Sequence, residues 1–88
     1  MKKVKLKIKK EGNGMNERNE SLFVKLASQF PCEIKVIRDE IEVNGKSIMG
    51  LMMLALSADV EFTIVADGKG EDEALQVLEK LILNDFQK

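Results

Sequence analysis

The sequence predicts an α+β domain in which helices cover one face of an antiparallel sheet. Four short segments alternate apolar and polar residues, the pattern of half-buried strands. Three others carry apolar residues at helical spacing or in a compact apolar run. They follow one another as β-α-β-β-α-β-α with no linker and no internal repeat, and stacking the helices on one face buries both sets together.

Val4, Leu6 and Ile8 alternate with Lys3, Lys5, Lys7 and Lys9, so 3–10 reads as the first strand, broken by Gly12-Asn13-Gly14. Leu22, Phe23, Leu26, Ala27 and Phe30 form the stripe of an amphipathic helix that Pro31 stops. Ile34 and Val36 mark the second strand, Asp39-Glu40 a tight turn, and Ile41 and Val43 a short third strand closed by Asn44-Gly45. From Lys46 to Leu56 the pattern becomes a short helix, apolar on nearly every side. Val60, Phe62, Ile64 and Ala66 alternate as the fourth strand, and Gly68 and Gly70 mark a loop. Glu71, Asp72 and Glu73 sit where acidic side chains favour a helix start. Ala74, Val77, Leu78, Leu81, Ile82 and Phe86 then stripe the last helix.

Eighty-eight residues make a single domain, 1–88, with one modest core. Chains of this size bury about 60–65% of their unfolded surface and keep little for an enclosed catalytic cavity. With 33% charged and 44% apolar residues the composition is that of a globular domain. A net charge of −1 and a pI near 5.5 argue against a direct nucleic-acid partner. No apolar run approaches the ~18 residues a membrane span needs, and no signal-peptide stretch opens the chain. The single cysteine, Cys32, fits a reducing cytoplasm. Histidine is absent, which removes the usual general base and the commonest metal ligand. The composition is a poor one for an enzyme, and neither a cofactor nor a metal is expected.

Between Val43 and Ala58 the only charged residue is Lys46. Ser47 follows a glycine turn and precedes an apolar run, so it is placed to cap the short helix, worth about 1 kcal/mol. On helical spacing Leu51, Leu54 and Ala55 share one face, which can cover the sheet, while Ile48, Met49 and Met52 point elsewhere. Two readings fit this segment. It is either a helix buried on all sides, or an exposed apolar patch whose methionines adapt to a partner.

Asn44-Gly45-Lys46-Ser47-Ile48-Met49-Gly50-Leu51-Met52, with the strand–helix order on both sides and Gly70-Glu71-Asp72-Glu73-Ala74-Leu75, resembles the HPr phosphocarrier family. The likeness is greatest to its regulatory, Crh-like (catabolite repression HPr-like) branch. It implies an open-faced β-sandwich, with a four-stranded sheet in order 1-4-2-3 and three helices on one face. It also implies two phosphorylation sites: a histidine in Gly-(Leu/Ile)-His-Ala-Arg-Pro and a serine in Lys-Ser, the latter modified by HPr kinase/phosphorylase with ATP.

At the first site this chain reads Gly14-Met15-Asn16-Glu17-Arg18-Asn19. Asn16 stands in the histidine's place and cannot carry a phosphoryl group. Glu17 opposes an incoming phosphodonor, Asn19 replaces the first-turn proline, and only Arg18 survives. The second site matches residue for residue. The resemblance implies that phosphorylated Ser47 makes the protein a corepressor, docking a LacI-type catabolite control regulator through Arg18, Lys46, Ser47, Ile48, Met49 and Met52. The alternative is a diverged HPr-like binding module with a different partner outside the sugar phosphotransferase circuit.

The lysines of the first strand read as edge-strand protection, since no aromatic stacking residue accompanies them. Gly12-x-Gly14 lacks a nucleotide-binding context. Lys69 at a ligand position, and Leu78 where a bidentate glutamate is required, rule out a calcium loop after Asp67. Cys32 reads as a small core residue, and Ser28 and Ser57 as surface or cap residues. An exposed edge strand leaves strand exchange open as a route to a homodimer.

Overall fold

The computed structural model describes residues 1–8, 15–57, 59–84 and 86. Strands β1 (Lys2–Lys7), β2 (Glu33–Arg38), β3 (Ile41–Asn44) and β4 (Glu61–Asp67) form one antiparallel sheet in the order β1-β4-β2-β3. The register lines up Val4, Ile64, Val36 and Val43 across all four strands on one face. Leu6 pairs with Phe62, and Ile34 with Ala66, in the rows on either side. A slip of one residue would turn this apolar set to solvent, so the alternation read from the sequence fixes the pairing.

Helices α1 (Glu17–Ala27), α2 (Ile48–Leu54) and α3 (Glu71–Leu83) cover that face. α3 lies over β1 and β4, α2 over β2 and β3, and α1 packs against both other helices. Phe23, Ile34, Val36, Leu51, Leu54, Phe62, Ile64, Leu78 and Ile82 are fully buried between the layers. Burying side chains of this size contributes about 1.5–3 kcal/mol each before the entropy of ordering them is set against it. Cys32 is free and buried in the same core.

Several boundaries differ from the sequence reading. β1 closes at Lys7, and the rest of the expected strand with its glycine break, 9–14, lies outside the described residues. α1 ends at Ala27, because the turn before Pro31 tightens: Gln29 N–H bonds the Leu26 carbonyl and Phe30 N–H that of Ala27. α2 is seven residues long, shorter than the expected span from Lys46 to Leu56. Val65, on the face the alternation assigned to solvent, is only 8% exposed. Its register partners are Lys3 and Lys35, whose aliphatic stems flank it in the centre of the sheet.

β1 and β3 are the sheet edges. On β1, Lys5 pairs with Glu61 at 3.6 Å and Lys7 with Asp59 at 3.5 Å. These pairs are exposed and contribute little to stability, but they give Lys5 and Lys7, two of the lysines behind the strand's basic look, partners within the sheet and its loop.

Candidate functional site

The Asn44–Gly45 turn delivers the chain from β3 into α2. Gly45 N–H bonds the Ile34 carbonyl at 2.7 Å, and a Cβ on Gly45 would stand 2.5 Å from Ile34 Cγ2, so only glycine brings the turn this close. Ser47 follows as the N-cap of α2, in extended conformation, its Oγ accepting from Gly50 N–H at 3.1 Å. The capping role read from the sequence is therefore met. Gly50 lets α2 approach β3, since a Cβ there would lie 3.0 Å from Val43 Cβ.

Leu51 and Leu54 are the buried face of α2. The remaining circumference is open: Met49 is 76% exposed, Met53 74%, Met52 58% and Ile48 38%. Of the two readings of this helix, the all-buried one fails, because a seven-residue helix at the edge of the sheet has protein on one side only. Ala55, expected on the buried face with Leu51 and Leu54, is instead exposed and left-handed (φ 51°), where it caps the helix.

Both ends of this segment are tied to their surroundings through a cation. Lys46 Nζ donates to the Phe30 carbonyl at 2.6 Å, so its charge serves the C-terminal turn after α1. Arg38, at the end of β2, donates from Nη1 to the carbonyls of Leu54 (2.7 Å) and Ala55 (2.9 Å), the last acceptors of α2. Sequence reasoning missed Arg38, which lies 16 residues from Leu54 and carries no local signal. It also missed Met53, which adjoins the methionines it singled out.

At the start of α1, Asn16 is the N-cap, and its Oδ1 accepts from Asn19 N–H at 2.9 Å. Arg18 is exposed on the first turn and donates to Asn19 Oδ1 at 3.2 Å. Glu20, which the sequence reading passed over, is only 6% exposed. Its burial, and next the charge of Glu17, hold its carboxyl above the usual carboxylate range. A groove lined by Met15, Glu17, Glu20, Met52, Ala55 and Leu56 joins this helix start to the open flank of α2. Ser47, Ile48, Met49 and Met52 thus form one surface beside Lys46, and Arg18 belongs to the helix turn bordering it. Among the described residues no group of three or more His, Cys, Asp or Glu side chains could hold a metal ion. No described helix is long and apolar enough to cross a membrane.

The described residues thus present an exposed apolar helix face framed by capped ends on one side of a small sheet. Comparison with known proteins gives the family. The family profile "PTS HPr component phosphorylation site" matches residues 2–84. HPr-like protein Crh of Bacillus subtilis is 42% identical over 76 residues, 86% of each chain. Phosphocarrier protein HPr of Treponema pallidum is 40% identical over 75 residues, 85% of each. Among solved structures, HPr of Thermoanaerobacter tengcongensis superposes with a TM-score of 0.93 at 40% identity, covering 100% of this chain and 98% of that one. Crh of Bacillus subtilis, described as a domain-swapped dimer, superposes with a TM-score of 0.76 at 36% identity, covering 100% and 98%. The chain belongs to the HPr family and is an HPr-like protein of the phosphocarrier and regulatory kind. Its sheet order and three helices are those the resemblance implied.

Proposed function

We propose that this protein is a regulatory adaptor of carbon catabolite control, phosphorylated on Ser47 by HPr kinase/phosphorylase and then acting as corepressor of a LacI-type catabolite control regulator. The observation that supports this reading is Ser47 at the head of an exposed Ile48–Met49–Met52–Met53 face, with no acidic residue from Val43 to Ser57. A phosphate there adds about −1.5 to −2 charges and three acceptor oxygens to an apolar patch already in place. Arg18 sits on the neighbouring helix turn. Binding is off without the phosphate and on with it, because the apolar face alone lacks the charge-assisted contact.

The protein takes no part in histidine phosphotransfer in this reading. Asn16 has no nucleophilic nitrogen, and its amide oxygen already occupies the Asn19 N–H at the helix start. Its place of work is the cytoplasm, with the kinase and regulator as partners and strand exchange as a route to a homodimer. Dimers are known for HPr of Thermoanaerobacter tengcongensis and Crh of Bacillus subtilis. One observation favours the second reading, an HPr-like module serving another partner: Glu17 and Glu20 make the start of α1 acidic.

Incubation with HPr kinase and ATP, followed by mass spectrometry, tests the first step. The expected result is a single phosphate on Ser47, absent from Ser47→Ala. An unmodified chain would refute the reading, as would equal affinity of Ser47→Ala and the phosphorylated protein for the regulator in calorimetry.

A further inference from the structure

The groove between the first turn of α1 and the flank of α2 has a chemistry of its own. Its apolar walls are Met15, Met52, Ala55 and Leu56, its charges are Glu17 and Glu20, and Ser57 adds a hydroxyl. Glu20 is more than nine-tenths buried, yet among the described residues no cation pairs with it. Arg18, two residues earlier and therefore on another side of the helix, donates to Asn19 Oδ1 instead. Among the described residues no fully buried side-chain oxygen lacks a hydrogen bond, and Glu20 lines the groove. A carboxylate sunk in an apolar wall and crowded by a second one is unfavourable unless a positive charge arrives to meet it.

We propose that this groove receives a lysine or arginine side chain of a partner protein, its stem lying along Met52, Ala55 and Leu56 and its head between Glu17 and Glu20. The inference rests on reading α2 as a docking face, and it specifies the partner's chemistry: a basic side chain set in apolar surface. Long basic side chains bury their methylenes against apolar walls while their heads reach polar groups, which is the division this groove presents. An inorganic cation is a poor fit, because two carboxylates on apolar walls leave most of its ligand positions empty.

Two peptides, acetyl-Leu-Arg-Leu-amide and acetyl-Leu-Gln-Leu-amide, titrated into the ¹⁵N-labelled protein provide the test. The arginine peptide should shift the amides of Glu20, Met52 and Ala55 with a dissociation constant at or below about 10 mM. The glutamine peptide should shift none of them. The double variant Glu17→Gln/Glu20→Gln should bind the arginine peptide about tenfold more weakly, the loss expected for a charge-assisted contact. The dispersion of its own spectrum reports that it is folded, and Glu17→Gln alone should show part of the same loss. Equal response to the two peptides, no response to either, or an undiminished response of the double variant would each overturn the proposal. Sedimentation equilibrium showing a dimer that the double variant abolishes would assign the groove to a second copy and overturn the choice of partner. The titration uses the unphosphorylated protein and needs neither kinase nor regulator, so its outcome and that of the Ser47 phosphorylation experiment are read separately.

Discussion

Arg38 is the residue by which β2 sets the end of α2, and Arg38→Met isolates that role. The substitution keeps most of the stem's volume and removes the guanidinium that meets the Leu54 and Ala55 carbonyls at 2.7 and 2.9 Å. Hydrogen bonds from a charged donor contribute about 1.5–3 kcal/mol. The Arg38 side chain is 32% exposed, and its 4.0 Å approach to Asp39 adds nothing substantial, so the lower end, about 1.5 kcal/mol, applies. For a chain of this length that lowers Tm by roughly 6–12 °C. It also lowers the urea midpoint by about 1.5 M if the urea dependence is near 1 kcal/mol/M. The protein has neither tryptophan nor tyrosine, so far-UV circular dichroism is the probe of choice. Amide exchange then localises the change: the amides of Met52, Met53 and Leu54 should exchange faster while those of β4 keep their protection relative to global unfolding. An unchanged urea midpoint together with unchanged α2 exchange would sink the reasoning. So would uniform loss of protection, which would make Arg38 a general stabiliser with no special hold on α2.

Four further outcomes follow from the same contacts. Ser47→Ala should lose the cap on Gly50 N–H and about 1 kcal/mol by urea denaturation, whereas Ser47→Asp, an equal cap, should not; this separates the structural role of the side chain from any role of its phosphate. Gly45→Ala should destabilise by about 1–3 kcal/mol in the same assay, since its Cβ collides with Ile34 Cγ2 and the turn cannot move without breaking the Gly45–Ile34 bond. Glu71 accepts from Gly68 N–H at 3.0 Å, and that bond first, then the chain's terminal ammonium, lowers its pKa; the stability it contributes is present above its unfolded value and lost as pH falls through the folded one, so Glu71→Gln should flatten the acid limb of a stability–pH curve. Glu20 has the opposite sign: its raised folded pKa means that the ionised form opposes folding, so Glu20→Gln should be more stable than wild type near about pH 7, with the advantage shrinking by about pH 4 as the native carboxyl takes up its proton.

The sheet could be read from the sequence because it rests on period-two alternation, and Val4, Leu6, Ile34, Val36, Phe62 and Ile64 all lie on the face that alternation assigned them. Val65 escaped because its burial comes from Lys3 and Lys35 on neighbouring strands, a fact of register that no single segment contains. Helix ends were less legible than helix cores. Phe30 belongs to the apolar stripe of α1, but the turn before Pro31 is too tight to continue an α-helix. At the candidate site the cap at Ser47 is local and therefore readable. The exposure of Met49, Met52 and Met53 depended on how much protein surrounds α2, which needs the tertiary arrangement. Arg38 and Lys46 each meet carbonyls 16 residues away in the chain, Leu54 and Phe30, beyond the reach of pattern reading. Glu20 looked like an ordinary surface residue of an amphipathic helix until α1 and α2 were placed side by side.

The cap at Asn16 has a consequence for how this domain can change. Asparagine is among the best residues for closing a helix start, and its oxygen holds the Asn19 N–H at 2.9 Å. Any anion seeking that N–H competes with an intramolecular ligand that never leaves, and displacing it forfeits about 1 kcal/mol of helix stability. Replacing Asn16 by histidine, which does not rank among the good caps, would incur the same loss and would leave Glu17 beside the newcomer. Stability and phosphotransfer chemistry therefore pull in opposite directions at this one position. The helix end behaves as a ratchet: a return from asparagine to histidine is penalised before any phosphotransfer chemistry can offset it.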